Sequence, residues 1–163
     1  MMSDGENLNA LEAIGRRNIA LNGLAENKEI SVFKSANLWL KKYFSGENPP
    51  ISNVPIKPLE GTPFQKIVWK ILLKIPYGST ATYGEIASEV ARRLGKSKMS
   101  AQAVGQAVGQ NPISIIIPCH RVIGANGNLT GYNGGIDVKI KLLEIEGIDT
   151  SRMSYPAKSK RQK

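Results

Sequence analysis

Residues 82–110 read TYGEIASEVARRLGKSKMSAQAVGQAVGQ, and they predict two helices with a short turn between them. Thr82 followed three residues later by Glu85 is a capping box, in which each side chain accepts a hydrogen bond from the other residue's backbone N–H. Ile86, Val90 and Leu94 then recur every four residues up to Gly95, so one apolar stripe ends on a glycine stop. A second helix is expected from Ser100 to Gly109 or Gln110, with its core stripe at Ala101, Val104, Ala107 and Val108. Joined by Gly95-Lys96-Ser97-Lys98-Met99, the pair is a helix-turn-helix candidate.

The other face of the second helix carries Gln102, Ala103, Gly105, Gln106, Gly109 and Gln110, and no charge. A solvated face normally bears Lys and Glu, and each helical Gly costs about 1 kcal/mol relative to Ala. Two readings fit. The helix reads nucleic acid, flanked by phosphate-binding Arg92, Arg93, Lys96 and Lys98, or it packs against another part of the same chain.

Upstream, Thr62-Pro63 opens a helix with its apolar stripe at Phe64, Ile67, Val68, Ile71, Leu72 and Ile75, closed by Pro76-Tyr77-Gly78. Val32, Phe33, Ala36, Leu40, Tyr43 and Phe44 predict an amphipathic helix that stops at Gly46, and Pro49, Pro50, Pro55 and Pro58 make a linker. Residues 1–30 are polar and place no element. Downstream the period changes. Ile113 to Ile117 is a β-branched run stopped by Pro118, which puts Cys119 at a strand end. Val122-Ile123, a turn at Ala125-Asn126-Gly127-Asn128, and Leu129-Thr130 predict a short hairpin. Asp137 opens a last helix that ends at Gly147. The class is α+β, mostly helical after residue 60. Residues 1–58 read as a small N-terminal part with its linker, 59–149 as the main domain, and 150–163 as a basic disordered tail.

Composition narrows the function. The chain has 163 residues with 22 Lys and Arg against 13 Asp and Glu, a formal charge of +9. Arg152, Lys158, Lys160, Arg161 and Lys163 supply +5 of this beyond residue 150, which leaves +4 on residues 1–150. A modestly basic body with a basic tail suits a polyanionic partner. No apolar run approaches the ~18 residues of a membrane span, and the first thirty residues have no apolar core of a secretory signal, so a cytoplasmic protein is expected. One Cys and one His exclude an internal disulfide and the usual four-ligand thiolate and imidazole zinc site. No metal and no cofactor is expected.

The chemistry converges on that one Cys and one His. His120 and Arg121 beside Cys119 supply positive charge that would draw the thiol toward thiolate. Adjacent side chains of an extended segment point to opposite faces, so a bridging water is an easier link between Cys119 and His120 than a direct bond. Glu146, in the last helical turn, faces the negative end of the helix dipole and is disfavoured there unless it has a partner elsewhere. Cys119, His120 and Glu146 are the available nucleophilic relay. A buried inert cysteine, a structural histidine and an exposed glutamate are the alternatives.

Asn111-Pro112-Ile113-Ser114-Ile115-Ile116-Ile117-Pro118-Cys119-His120-Arg121-Val122-Ile123-Gly124 resembles the active-site signature of the O6-alkylguanine-DNA alkyltransferases, also called methylated-DNA–protein-cysteine methyltransferases. The likeness runs from about Thr62 to Gly147 and includes Thr82-Tyr83-Gly84-Glu85, Ala101-Gln102-Ala103-Val104-Gly105, Gly131-Tyr132-Asn133-Gly134-Gly135 and Leu142-Leu143-Glu144-Ile145-Glu146-Gly147. The resemblance implies repair of O6-alkylguanine, and of O4-alkylthymine, in double-stranded DNA by a monomer that reacts once. The second helix would enter the minor groove and the damaged base would be flipped into a pocket.

The same resemblance implies the roles of single residues. Cys119 would be the nucleophile of an SN2 displacement, His120 a base acting through water, and Glu146 its orienter. Tyr83 would aid nucleotide rotation and protonate the departing guanine, and Asn111 would join the reading helix to the site. The Val122 backbone, Tyr132, Asn133, Gly134 and Ser114 would form the guanine pocket. Thr82, Ser100, Ala101, Gln102, Ala103 and Gly105 would contact DNA with the four flanking cations. Two features depart from the family pattern. Gln102 stands where the family commonly has the arginine that fills the gap left by the flipped base, and the opening segment is short. A competing reading, alkylated-DNA binding without chemistry as in alkyltransferase-like proteins, is disfavoured by Cys119, which those proteins replace. A transcription regulator would explain the helix pair and leave Pro118 to Val122 unexplained.

Overall fold

The computed structural model describes residues 1–12, 30–58 and 60–155. The order is β1 (Met2–Ser3), β2 (Leu8–Ala10), α1 (Ser31–Phe44), α2 (Pro63–Leu72), β3 (Ala81–Thr82), α3 (Tyr83–Arg93), α4 (Ala101–Gly109), β4 (Val122–Ile123) and α5 (Ile136–Ile145), with short 3-10 turns at Ile51–Asn53, Cys119–Arg121 and Ala125–Gly127. The α+β class stands, and each expected helix is present. Among the described residues no helix is long and apolar enough to cross a membrane.

Local chemistry sets the helix ends. Thr62 and Thr82 close full capping boxes with Gln65 and Glu85, and Ser100 accepts from the Ala103 N–H. Such caps are worth about 1 kcal/mol each. The buried stripes, Val68, Trp69, Ile71 and Leu72 on α2, Ile86, Ala87, Val90 and Ala91 on α3, and Val104, Ala107 and Val108 on α4, pack the three helices together. Ala101, expected in the α4 stripe, is exposed because it sits in the first turn, ahead of the packed segment. Trp69 Nε1 donates to Ala107 O (2.9 Å), which satisfies one of the carbonyls left over at the end of α4.

One hydrophobic core runs from Leu8 and Leu11 through Val32, Ala36, Trp39 and Tyr43 to the α2–α4 stripes, the isoleucines of 113–117, Val122 and Leu142. The N-terminal segment is joined to it by backbone as well. Leu8 N–H donates to Pro55 O, Leu11 N–H to Pro112 O, and Ser114 N–H to Leu11 O.

Three expectations need correction. The run 113–117 is a tight turn, not a strand. Ile113, Ile116 and Ile117 all enter the core, Ile117 N–H returns to Ile113 O, and Ile115 takes φ +70°, so burial in three directions overrides β propensity. The hairpin is absent. Asn126 and Gly127 do make a positive-φ turn, but Val122–Ile123 pairs in parallel with Ala81–Thr82. Finally, residues 150–155 are tied to the body of the chain, though mostly exposed. Thr150 is buried, Met153 lies against the cluster of Ile123, Leu129 and Leu143, and Leu129 N–H donates to Ser154 O. The tail cations Lys158, Lys160, Arg161 and Lys163 lie outside the described residues.

Candidate active site

Cys119 opens the 3-10 turn Cys119–Arg121 directly after Pro118 and is 7% exposed. It is held from the α4 end by Asn111. The Asn111 amide nitrogen lies 2.8 Å from Ile117 O and 3.1 Å from Cys119 Sγ, and its Oδ1 accepts the Ile113 N–H at 3.0 Å. One side chain thus takes up the backbone groups that a partner strand would have taken and donates to the thiol. Burial pushes the Cys119 thiol up, and the Asn111 hydrogen bond works against it. This corrects the expectation that His120 and Arg121 would favour thiolate: Arg121 is spent on a carboxylate, and burial holds His120 below its ordinary value. Asn111→Ala should therefore cost about 1–3 kcal/mol of stability for the buried polar groups it orphans and raise the thiol pKa further. Thermal melting and thiolate absorbance against pH check both.

His120 and Glu146 meet at full burial. His120 Nε2 is 2.7 Å from Glu146 Oε1, while Nδ1 has no hydrogen-bond partner among the described residues. With an ionised carboxylate on Nε2, that nitrogen carries the proton and Nδ1 is left as the basic atom. Arg121 grips the same carboxylate with Nε to Oε2 at 2.8 Å and Nη2 to Oε1 at 3.0 Å. Gly78 N–H and the Tyr43 hydroxyl add two more donors. Burial alone would raise Glu146, but the hydrogen bonds from His120 and Arg121 outweigh it and hold the carboxyl at about 2. Glu146 therefore does have the partners that its place at a helix C-terminus called for.

A cavity of about 450 Å³ opens at Cys119, within the size range of small-molecule sites. Asn111, Ser114, Ile115, Cys119, Gly131, Tyr132, Asn133 and Gly134 line it together with the apolar Leu11, Leu40, Phe44, Val108 and Val138. The expected pocket residues Ser114, Tyr132, Asn133 and Gly134 are thus brought to the cysteine. Val122 is not: it is fully buried, and its carbonyl accepts from Lys139 Nζ at 2.5 Å. Asn133 donates its amide to Gly109 O, which fastens the pocket loop to the end of α4.

Tyr83 stands at the first turn of α3, its ring 3.6 Å from where a Cβ on Gly105 would lie and its hydroxyl donating to Gly131 O at 3.1 Å. A side chain at Gly131 (φ +69°) would come within 2.7 Å of that hydroxyl, so glycine is required there. Tyr83 touches the pocket loop rather than lining the cavity, and burial keeps it protonated with a pKa pushed up to about 12.

The expected DNA-contacting residues form the helix-turn-helix surface. Gln102, Gln106 and Gln110 are exposed, while Ala103, Gly105 and Gly109 are half-buried. Thr82 and Ser100 use their oxygens as helix caps. Arg92 and Arg93 both bond Glu89 at 2.8 Å, so part of their charge is compensated, whereas Lys96 and Lys98 stand exposed in the turn. Among the described residues no group of three or more His, Cys, Asp or Glu could hold a metal ion.

Three residues escaped the sequence reading. Tyr43 looked like one more apolar position of α1. Arg121 was expected to act on the thiol, and its grip on Glu146 was not foreseen. Lys139 sits on α5 where a solvated lysine is ordinary, yet it is fully buried, with Nζ bonded to Val122 O and Thr130 O and its pKa brought down by burial to about 8.

Residues 63–148 match the family model described as 6-O-methylguanine DNA methyltransferase, DNA binding domain. The methylated-DNA–protein-cysteine methyltransferase of Haemophilus influenzae is 40% identical over 148 residues, 91% of this chain and 79% of that protein. The protein of the same name from Methanosarcina acetivorans is 53% identical over 122 residues, 75% and 72% of the two chains. Among solved structures, the Mycobacterium tuberculosis OGT in complex with DNA superposes with a TM-score of 0.63 at 50% identity, covering 74% of this chain and 69% of that one. An O6-methylguanine DNA methyltransferase from Methanococcus jannaschii gives 0.62 at 33% identity over 96% of this chain and 92% of that one. A buried cysteine facing a cavity, a His–Glu relay behind it, a helix-turn-helix beside it, and these likenesses over most of the chain lead to one assignment: the chain belongs to the methylated-DNA–protein-cysteine methyltransferase family.

Proposed function

We propose that the protein repairs O6-alkylguanine in double-stranded DNA, and O4-alkylthymine by the same chemistry, by moving the alkyl group irreversibly onto Cys119. The observation that carries the reading is the thiol lining an open cavity, next in the chain to a histidine whose Nε2 is held by an ionised glutamate, leaving Nδ1 as its basic atom. The base is flipped into the cavity against Tyr132, Asn133, Gly134 and Ser114. The Cys119 thiol gives its proton through water to His120 Nδ1, which Glu146 keeps basic. Sulfur attacks the alkyl carbon, the carbon–O6 bond breaks, and its electron pair leaves on the guanine, which takes a proton from the Tyr83 hydroxyl once that turns from Gly131 O at the pocket loop. The thioether has no route back, so each monomer reacts once. No cofactor takes part, and the setting is the cytoplasm.

Titrating the protein with a duplex carrying one O6-methylguanine tests this. The methylated base should disappear in a one-to-one ratio with protein and then stop. Binding of that duplex with no loss of the methyl group would favour the non-catalytic recognition module instead.

Phosphate contacts from the α3–α4 turn, where Lys96 and Lys98 are exposed, account for binding without sequence preference. Gln102, exposed in the first turn of α4, takes the place of the inserted arginine. Its amide can bond the orphaned cytosine but brings no charge and a shorter stem, so the flipped population is smaller. Gln102→Arg is expected to raise the single-turnover rate on duplex DNA and to leave reaction with the free base unchanged. Equal effects on both substrates would remove Gln102 from the flipping step.

A further inference from the structure

The mechanism above uses Cys119, His120 and Glu146, yet the buried cluster around Glu146 has a member from the opposite end of the chain. Tyr43 lies in α1, is 0% exposed, and places its hydroxyl 2.8 Å from Glu146 Oε1 and 3.2 Å from His120 Nε2. We propose that Tyr43 is a positioning residue of the relay, its hydroxyl fixing Glu146 Oε1 against His120 and thereby setting how tightly His120 holds a proton. The proposal rests on the alkyl-transfer reading of Cys119 and His120.

The geometry separates this role from packing. The ring of Tyr43 is already held by Trp39, stacked at 5.3 Å, and by edge contacts with Phe44 and Tyr77 at 5.5 and 6.2 Å. Those contacts need a phenyl ring and no hydroxyl. The hydroxyl goes to the one carboxylate oxygen that His120 also uses, so Oε1 receives Tyr43, His120 and Arg121 Nη2, whereas Oε2 receives Arg121 Nε and the Gly78 N–H. Donors that share an acceptor divide its negative charge, so the hydroxyl reduces the hold of Glu146 on the imidazole proton. Burial and the nearby Glu146 keep the Tyr43 hydroxyl protonated far beyond neutral pH, which makes it a permanent donor. A third element, α1, thereby joins the two catalytic segments, and the N-terminal part of the chain acts on a base it does not touch covalently.

The charged and titratable groups facing His120 are Glu146, Arg121, Lys139 and Tyr43. Glu146 is held at about 2 and Lys139 at about 8, so between those values His120 is the group of this cluster that titrates. An acid limb between those values therefore reports His120. Tyr77 provides the control. Its hydroxyl lies 2.9 Å from Ile145 O and 3.2 Å from Gly46 O, bridging the ends of α5 and α1 beside the cluster without bonding Glu146.

The experiment compares wild type, Tyr43→Phe and Tyr77→Phe in the full chain by two measurements. The first is the pH profile of the single-turnover rate. The second is the imidazole titration by NMR without DNA, unambiguous because the chain has one histidine. Tyr43→Phe should move both the acid limb and the imidazole titration up by about 0.5–1 pH unit, a loss of about 3–10-fold in rate below the limb, with melting close to wild type. Tyr77→Phe should move neither. An unmoved titration in Tyr43→Phe, an equal move in Tyr77→Phe, or a Tyr43→Phe chain that does not fold would each overturn the proposal, the last by making the hydroxyl a packing group. If wild type transfers no alkyl group while the NMR titration still moves in Tyr43→Phe alone, the coupling stands and the alkyl-transfer reading fails.

Discussion

Cys119→Ala is expected to abolish alkyl transfer to below one part in 10³ of the wild-type rate while leaving affinity for the damaged duplex within a few-fold, since removing the attacking atom leaves only binding. The structure makes this a clean substitution. The side chain is small and buried at the cavity floor, and its one hydrogen bond is accepted from an Asn111 amide nitrogen that also reaches Ile117 O. Alanine leaves that amide with a partner and creates no clash. Electrophoretic binding and single-turnover kinetics on the same duplex check the two halves. Residual transfer by Cys119→Ala would place the nucleophile elsewhere.

Glu146→Ala should be the most damaging substitution to stability and should lower the rate as well. It strips Arg121 of the carboxylate that neutralises it at full burial, and a buried charge left alone costs about 3–5 kcal/mol, visible as a melting temperature lower by many degrees. It also removes the anion that orients His120, and the transfer rate should fall by about 10²-fold or more. The pH dependence follows from the direction of the shifts. Glu146 sits at about 2 against an ordinary 4.5, so its contribution is present above pH 4.5 and is lost as pH falls through that value toward 2. His120 is held below its ordinary 6.5, so the unfolded chain binds its proton first and acidification below 6.5 is also destabilising. Wild-type melting should therefore fall steadily from pH 6.5 downward. Glu146→Gln should make the slope below 4.5 shallower by the share of that carboxylate, which calorimetry across the range will show.

Much of this site was legible in the chain itself because its chemistry is scarce. With one cysteine and one histidine, a nucleophilic relay had few ways to be assembled, and a glutamate at the wrong end of a helix dipole asked for a partner. The helices were legible because caps and four-residue stripes are local. What failed was non-local. The turn chemistry of Ala125–Asn128 was sound, but a turn signal cannot say that Val122–Ile123 will pair with Ala81–Thr82 some forty residues earlier. The isoleucine run looked like a strand because nothing in a β-branched sequence announces that the side chain of Asn111 will satisfy its backbone groups. Tyr43 and Lys139 were hidden for the same reason: periodicity marks a position as buried or exposed and is silent on whether a polar tip at that position finds a carboxylate 103 residues away, or two carbonyls.

The central claim is that Cys119 itself becomes the permanent acceptor, and intact mass spectrometry of the protein after incubation with duplex O6-methylguanine tests it most directly. The protein should gain one CH2 unit, located on the peptide containing Cys119, saturating at one per molecule however long the incubation. An unmodified protein beside repaired DNA, a mass gain on another residue, or repair continuing beyond one equivalent would contradict it.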